Sequence, residues 1–142
     1  MTGSKEVRAA VGSLAIQATW LEFLTARLVA IAGDTTNEMA LLAPRAEVFK
    51  AARDSAAAMH DLSVQQRTLA WLDRAETLRG ERDKVIHSIV LHDQRPGWTG
   101  YHPRSGILQR LQTQDIVALA EQARQHAEEG VYMCVIDWPP AF

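Results

Sequence analysis

The first long segment of the chain, from Ser4 to Gly33, reads SKEVRAAVGSLAIQATWLEFLTARLVAIAG and decides the fold class. Its apolar residues recur three, four or seven positions apart, which places their side chains on one face of an α-helix. These residues are Val7, Val11, Leu14, Ala18, Leu21 and Leu28. A helix of about 28 residues is longer than most helices of globular proteins. The segment therefore predicts a helical bundle.

Helical spacing continues along most of the remaining chain. We predict a second helical region over 37–60, in which Pro44 either opens the main helix or kinks a longer one. A third helix is predicted after Ser63, which has the spacing of a capping box with Gln66, and Gly80 is expected to stop or bend it. A short fourth helix over 81–91 and a last helix over about 113–136 complete the pattern.

The helical pattern fails over 93–112, where Pro-Gly, Thr-Gly and Ser-Gly pairs favour turns. We expect a turn-rich loop or a small hairpin here, and a connection of about 20 residues is often functional. The chain is thus predicted to be a single all-α domain over 1–142, a bundle of four to five helices. Its long first and last helices are expected to pack antiparallel as the core.

Composition and charge restrict the possible functions. Of the 142 residues, 47% are hydrophobic and 23% are charged, which is typical of a globular domain. The 15 Lys and Arg against 17 Asp and Glu argue against a general electrostatic nucleic-acid binder. The single cysteine, Cys134, excludes an intrachain disulfide and favours a reducing, cytoplasmic setting. The most apolar run, Leu28–Ala32, is too short to cross a bilayer, so no membrane partner is expected.

One segment departs from the overall charge of the chain. Residues 79–110 carry six Lys and Arg against three acids, a local net charge of +3 in a chain whose total is −2. The segment also contains His87, His92 and His102, and it overlaps the turn-rich connection. An anionic ligand would be attracted to this part of the chain.

The most informative string within this segment is Arg82-Asp83-Lys84-Val85-Ile86-His87. On a helix, Asp83 and His87 share a face, so the carboxylate could fix the imidazole tautomer and leave the other ring nitrogen for proton transfer. Arg79, four residues before Asp83, could hold the carboxylate, and Arg82 could present its guanidinium to a phosphate. The alternative is structural, with His87 as a half-buried packing residue and Arg82 as an ion-pair partner.

This string resembles the signature of the HEPN superfamily (higher eukaryotes and prokaryotes nucleotide-binding domains). That signature is an Arg, usually followed by a polar residue, and a His four to six residues after the Arg. Arg82, Asp83 and His87 match it, and the helix before the motif and the long last helix are similar to the family's architecture. The resemblance implies a four- or five-helix bundle that pairs into a dimer, with both copies of Arg82 and His87 facing one cleft.

Many HEPN proteins resemble metal-independent RNA endonucleases of toxin or defence type, and the resemblance implies that activity here. His87 would act as general base or acid, Arg82 would stabilise charge on the phosphate, and Asp83 would orient or polarise. No cofactor is implied. The implied partners are a second copy of the chain, an RNA substrate and a nucleotidyltransferase-like antitoxin. Other members resemble non-catalytic modules, so the alternative is a dimeric helical module that binds a nucleotide, RNA or a partner protein.

Six residues are candidate RNA or phosphate contacts because they add charge or an aromatic ring near the motif. They are Arg79, Lys84, Arg95, Trp98, His102 and Arg104. Trp98 would stack on a base, or else anchor the turn-rich connection. No acid or cysteine stands at a recognised ligand spacing, so no metal site is predicted. A helix-turn-helix DNA binder is disfavoured because its recognition helix would be too acidic or too apolar.

Overall fold

The computed structural model describes residues 3–33, 45–90, 98–102, 107–111 and 113–142, with the backbone alone at 3–4, 45, 88–90 and in the strands. These ranges contain four α-helices: α1 (Gly3–Gly33), α2 (Arg45–Ala57), α3 (Leu62–Val90) and α4 (Thr113–Tyr132). Two strands, β1 (Trp98–His102) and β2 (Ile107–Leu111), pair antiparallel between α3 and α4. The all-α bundle is confirmed, and the connection over 93–112 contains the small hairpin. Pro44 lies outside the described residues, so neither of its two predicted roles is tested.

Helix α3 is one continuous element, which corrects the prediction that Gly80 separates two helices. A glycine in a helix interior costs only about 1 kcal/mol relative to alanine. The buried stripe of the helix continues across it, with Leu78 on one side and Arg82 and Val85 on the other. Packing of that stripe against the bundle outweighs the local preference of the glycine.

The capping-box prediction for α3 is also wrong. The helix is capped by Asp61, whose Oδ1 accepts the backbone N–H of Ser63 at 3.0 Å and of Val64 at 3.2 Å. These are two of the N–H groups that a helix start leaves without an intrahelical acceptor. Ser63 therefore lies inside the first turn, and the spacing to Gln66 has no capping role.

Helices α1 and α4 run parallel, which corrects the expected antiparallel core. Their beginnings meet in a buried cluster that contains Val7 and Ile116, together with Val85 from the last part of α3. Their later parts also meet, because a Cβ built on Gly130 would lie 2.9 Å from Leu24 Cδ1. Helix α3 runs in the opposite direction, so the connection through the hairpin begins and ends at the same end of the bundle. Apolar periodicity identified the buried faces, but it carries no information on helix direction.

The C-terminal segment closes the other end of the bundle. After α4 the chain forms a π-helical turn, Met133–Asp137, and then a 3₁₀ turn, Pro139–Ala141. The Trp138 N–H donates to the Met133 carbonyl at 2.8 Å, and the Trp138 side chain is fully buried. Its indole N–H donates to Thr68 Oγ1 at 3.0 Å. The His60 N–H donates to the Ala141 carbonyl at 3.3 Å, which joins this segment to the turn before α3.

Helix α1 is long and apolar enough over Lys5–Gly33 to cross a membrane, by length and composition alone. The uninterrupted run Leu28–Ala32 is too short for this, whereas the helix as a whole is not. The core helix of a soluble protein passes the same test. In this bundle the buried face of α1, which includes Leu14 and Leu21, packs against the other helices.

Candidate functional site

Arg82 lies inside the bundle, with a side chain only 5% exposed. Its Nη2 is 3.0 Å from Glu22 Oε1 of α1, an ion pair without the alignment of a hydrogen bond. Its Nε and Nη2 also donate to Asp83 Oδ1, at 3.0 and 2.8 Å. Two carboxylates thus compensate the guanidinium, and such compensation allows a charge to be kept away from solvent.

His87 has a different environment from Arg82, although both belong to the same motif. It lies in the last turn of α3 and is exposed. Asp83, which was predicted to orient His87, accepts the hydrogen bonds of Arg82. Within one chain the motif therefore consists of a buried, ion-paired arginine and a solvent-facing histidine.

Two further candidates on α3, Arg79 and Lys84, have partners on the same chain. The Arg79 guanidinium carbon is 5.4 Å from the centre of the Phe49 ring, a cation–π contact with α2. The Nε and Nη1 of Arg79 are buried and have no hydrogen-bond partner among the described residues. Lys84 Nζ is 3.2 Å from Glu81 Oε1, a solvent-exposed ion pair one turn apart.

The remaining candidates belong to the connection between α3 and α4. Arg95 and Arg104 lie outside the described residues, and only the backbone is described for Trp98 and His102, the first and last residues of β1. Strand β1 lies beside α3. In the described part of the chain, no group of three or more His, Cys, Asp or Glu could hold a metal ion.

Comparison with protein-family models, curated proteins and solved structures finds no match for this chain. The HEPN resemblance therefore depends on the string from Arg82 to His87 and on the helices around it. Two surfaces outside the motif add functional information.

The first is an apolar but exposed face of α1. Ile16, Trp20 and Phe23 are 60%, 49% and 38% exposed, and their spacing of four and three residues aligns them along the helix. The Trp20 and Phe23 rings meet edge to face with centroids 5.7 Å apart. We call these three residues the α1 face, and they border a hollow of about 400 Å³. Their spacing is visible in the sequence, but periodicity does not distinguish a wide buried face from an exposed one.

The second surface is a groove of about 650 Å³ between α3 and α4, which we call the α3–α4 groove. The Trp71 and His126 rings at its floor are stacked, with centroids 5.0 Å apart and planes 11° apart. Trp71 Nε1 donates to the His126 carbonyl at 2.9 Å, and His126 Nε2 is 2.8 Å from the Trp71 carbonyl. The two residues therefore exchange hydrogen bonds between side chain and backbone in both directions.

His126 is a buried histidine that the sequence motif did not identify. Burial lowers the pKa of His126, and this effect outweighs the hydrogen bond with the Trp71 carbonyl and the nearby Glu129 carboxylate, which favour the protonated ring. Its ring is therefore neutral at neutral pH. The only sequence signal was its place beside the alanines of the inner face of α4, and a single histidine in such a face forms no recognisable motif.

Proposed function

We propose that the chain is a HEPN-like helical module that self-associates through the α1 face. It binds a nucleotide, RNA or a partner protein and does not cleave RNA. The observation that carries this proposal is the α1 face itself, three large apolar side chains in a row that are 38% to 60% exposed. Scattered exposed apolar residues are ordinary, but a contiguous patch on a domain surface marks an interaction site. A twofold pair would bury the same three residues on both copies.

The environment of Arg82 supports binding over catalysis. To stabilise charge on a phosphate, a guanidinium must direct N–H groups at it. In this chain Arg82 Nε and Nη2 donate to Asp83 Oδ1, and Nη2 also lies 3.0 Å from Glu22 Oε1 as an ion pair. Moving Arg82 toward a substrate would take a cation away from both carboxylates, and separating a buried pair is costly.

Sedimentation velocity of the purified chain at micromolar concentration tests the self-association. Trp20→Asp and Ile16→Asp should each convert a dimer into a monomer, because each places a charge within the row of apolar side chains that the dimer would bury. The matched control is Leu62→Asp, which changes an apolar residue that is 68% exposed at the start of α3 and should leave the dimer intact. A wild-type monomer, or equal dissociation of the control, would contradict the proposal, and circular dichroism checks that each variant stays helical.

A metal-independent endoribonuclease is the second candidate, and the exposure of His87 favours it. In a dimer, two exposed copies of His87 could share one cleft while each Arg82 keeps its ion pairs. Wild type should then cut single-stranded RNA in EDTA and leave 2′,3′-cyclic phosphate ends, whereas His87→Ala should not cut and should keep its fold. Intact RNA that is still bound by the wild type would support the binding module and exclude this candidate.

Further variants sharpen the second candidate. Asp83→Asn should reduce cleavage less than His87→Ala, because an amide oxygen still accepts a hydrogen bond. Arg104→Ala should weaken RNA binding without stopping cleavage, and its effect should shrink as salt rises. Arg82→Ala is unsuitable, since lost activity could follow from lost fold. For both the binding module and the endoribonuclease we propose a cytoplasmic setting and an antitoxin-type partner protein. For the endoribonuclease, this partner would be nucleotidyltransferase-like.

A further inference from the structure

We propose that the α3–α4 groove binds a small zwitterion of the amino-acid type that carries an apolar side chain. The groove measures about 650 Å³. Small-molecule sites in proteins span about 300–1,000 Å³. The inference is independent of the proposed function, because neither the α1 face nor the residues from Arg82 to His87 line this groove.

On the α4 wall of the groove, two hydrogen-bond acceptors, one from His126 and one from Glu129, lie side by side. A carbonyl oxygen can only accept, so His126 Nε2, 2.8 Å from the Trp71 carbonyl, carries the proton of the neutral ring. His126 Nδ1 is then an acceptor, and it lies 3.5 Å from Glu129 Oε2, which is an acceptor as well. A positively charged donor near both atoms would satisfy them together. An ammonium group has three N–H donors on one compact centre and fits this requirement.

The facing wall, on α3, carries the cation Arg74. Arg74 Nη2 donates to the amide oxygen of Gln122 at 2.7 Å, and no described acid forms an ion pair with Arg74. Its other N–H groups are available to a carboxylate, which a guanidinium matches in a fork geometry. Arg67, in contrast, is neutralised by Asp137 at 2.9 Å. Arg74 and Glu129 therefore present opposite charges to one groove without pairing with each other.

Apolar surface completes the groove. Ala70, Met133 and the exposed Tyr132 ring also line it. A simple anion would be attracted by Arg74 but repelled by the Glu129 carboxylate. A simple cation would be attracted by Glu129 but repelled by Arg74. A zwitterion places one charge against each wall, and an apolar side chain covers the surface between them.

Two-dimensional NMR on the full chain tests the proposal through the indole N–H signal of Trp71. The probes are phenylalanine, N-acetylphenylalanine, which lacks the ammonium group, and phenylalaninamide, which lacks the carboxylate. Phenylalanine should shift the signal saturably. Each analogue should bind about tenfold or more weakly, because a charge-assisted hydrogen bond is lost.

Two variants test which wall binds each charged group of the ligand. Glu129→Gln should remove the advantage of phenylalanine over N-acetylphenylalanine, and Arg74→Gln should remove its advantage over phenylalaninamide. Both side chains are exposed, so the fold is kept. The control is Arg124→Gln on α4, whose guanidinium pairs with Glu121 and does not line this groove. No saturable shift at millimolar phenylalanine, equal binding of the three probes, or unchanged preferences in both variants would overturn the proposal.

Discussion

Helix α3 takes part in two polar clusters, each built around buried side chains, that can be compared directly. The aromatic cluster, near its beginning, consists of Thr68, Trp71, His126 and Trp138, and the arginine cluster, nearer its end, consists of Arg82 with the carboxylates of Glu22 and Asp83. In the aromatic cluster neutral donors and acceptors pair one to one. In the arginine cluster, the charge of one guanidinium is compensated by two carboxylates. Neutral pairs add stability, whereas buried charges avoid a penalty only while their partners remain.

The largest effect is expected in the aromatic cluster. Trp138→Ala should lower the free energy of unfolding by about 3–5 kcal/mol, the usual range for removing a large buried aromatic side chain. It would also leave Thr68 Oγ1 without the indole donor. Chemical denaturation measures the change. Phe142→Ala, which alters a neighbouring residue that is 40% exposed, is the control and should change stability little; an equal loss in both variants would contradict the central role of Trp138.

Arg82→Met tests the arginine cluster. We expect a loss of about 3 kcal/mol, at the low end of the range for breaking a buried pair, because Glu22 keeps some solvent contact. The double variant Arg82→Met/Glu22→Gln should recover part of this loss, since the carboxylate left without Arg82 is removed as well. Urea unfolding of the four proteins of this cycle gives the coupling free energy. If the two single losses simply add, the ion pair does not contribute as described.

Gly130→Ala tests how closely α4 approaches the aromatic cluster. A Cβ at this position would lie 2.5 Å from Trp71 Cζ2 and 2.9 Å from Leu24 Cδ1, so one of these side chains must move. Overpacking of this kind costs about 1–3 kcal/mol. Thermal unfolding measures it, and the Trp71 fluorescence should change with it. A variant as stable as the wild type would mean that Trp71 relocates freely.

The stability of the aromatic cluster should depend on pH through His126. Burial lowers the pKa of His126 below its ordinary value of 6.5, so the unfolded chain takes up the proton at a higher pH than the folded chain does. The contribution of neutral His126 to the free energy of unfolding is complete above the pKa that His126 has in the unfolded chain. It is lost as the pH falls toward the lower pKa that His126 has in the folded chain. The urea midpoint should therefore fall as the pH is lowered through the ordinary value of 6.5 and below it. His126→Gln should flatten the dependence, and identical slopes in the two proteins would contradict this role.

Gly80→Ala has the smallest expected effect, and it is stabilising. Nothing lies within 4 Å of the position that a Cβ would take, so the gain in helix propensity is not offset by a clash. The expected gain is about 0.5–1 kcal/mol. Denaturant unfolding of Gly80→Ala and Gly130→Ala in parallel should show changes of opposite sign in the free energy of unfolding. A loss of stability in Gly80→Ala would mean that α3 needs to bend at this position.

The sequence predicts which segments of this fold are helical better than it predicts how the helices are arranged. Helical periodicity identifies α1, the region of α3 and the last helix, because spacing along the chain determines which side chains share a face. It does not give the parallel direction of α1 and α4, which depends on contacts such as Val7 with Ile116. The continuity of α3 through Gly80 is likewise a result of packing on both sides of the glycine, and a local propensity does not contain it.

The candidate site shows the same division. The burial of Arg82 follows from the continuity of α3, because Arg82 stands four residues after Leu78 and three before Val85 on one stripe of the helix. The predicted break at Gly80 hides this stripe in the sequence. Glu22, the partner of Arg82, belongs to a different helix and is not readable. The stacking of His126 on Trp71 and the hydrogen bond from Trp138 to Thr68 join residues more than fifty positions apart. No local pattern marks such pairs.

The parallel arrangement of α1 and α4 has a consequence for the order of folding. Helices α3 and α4 are near neighbours along the chain, so their contacts close a comparatively short loop, whereas α1 and α4 can meet only after nearly the whole chain has been brought together. Loop-closure entropy and contact order therefore favour early pairing of α3 with α4 and late docking of α1. A substitution in the contact of α4 with α3, such as His126→Gln, should slow folding, because His126 stacks on Trp71. Leu14→Ala in α1 should mainly accelerate unfolding, and the folding and unfolding rates from stopped-flow measurements over a range of denaturant concentrations would separate the two effects.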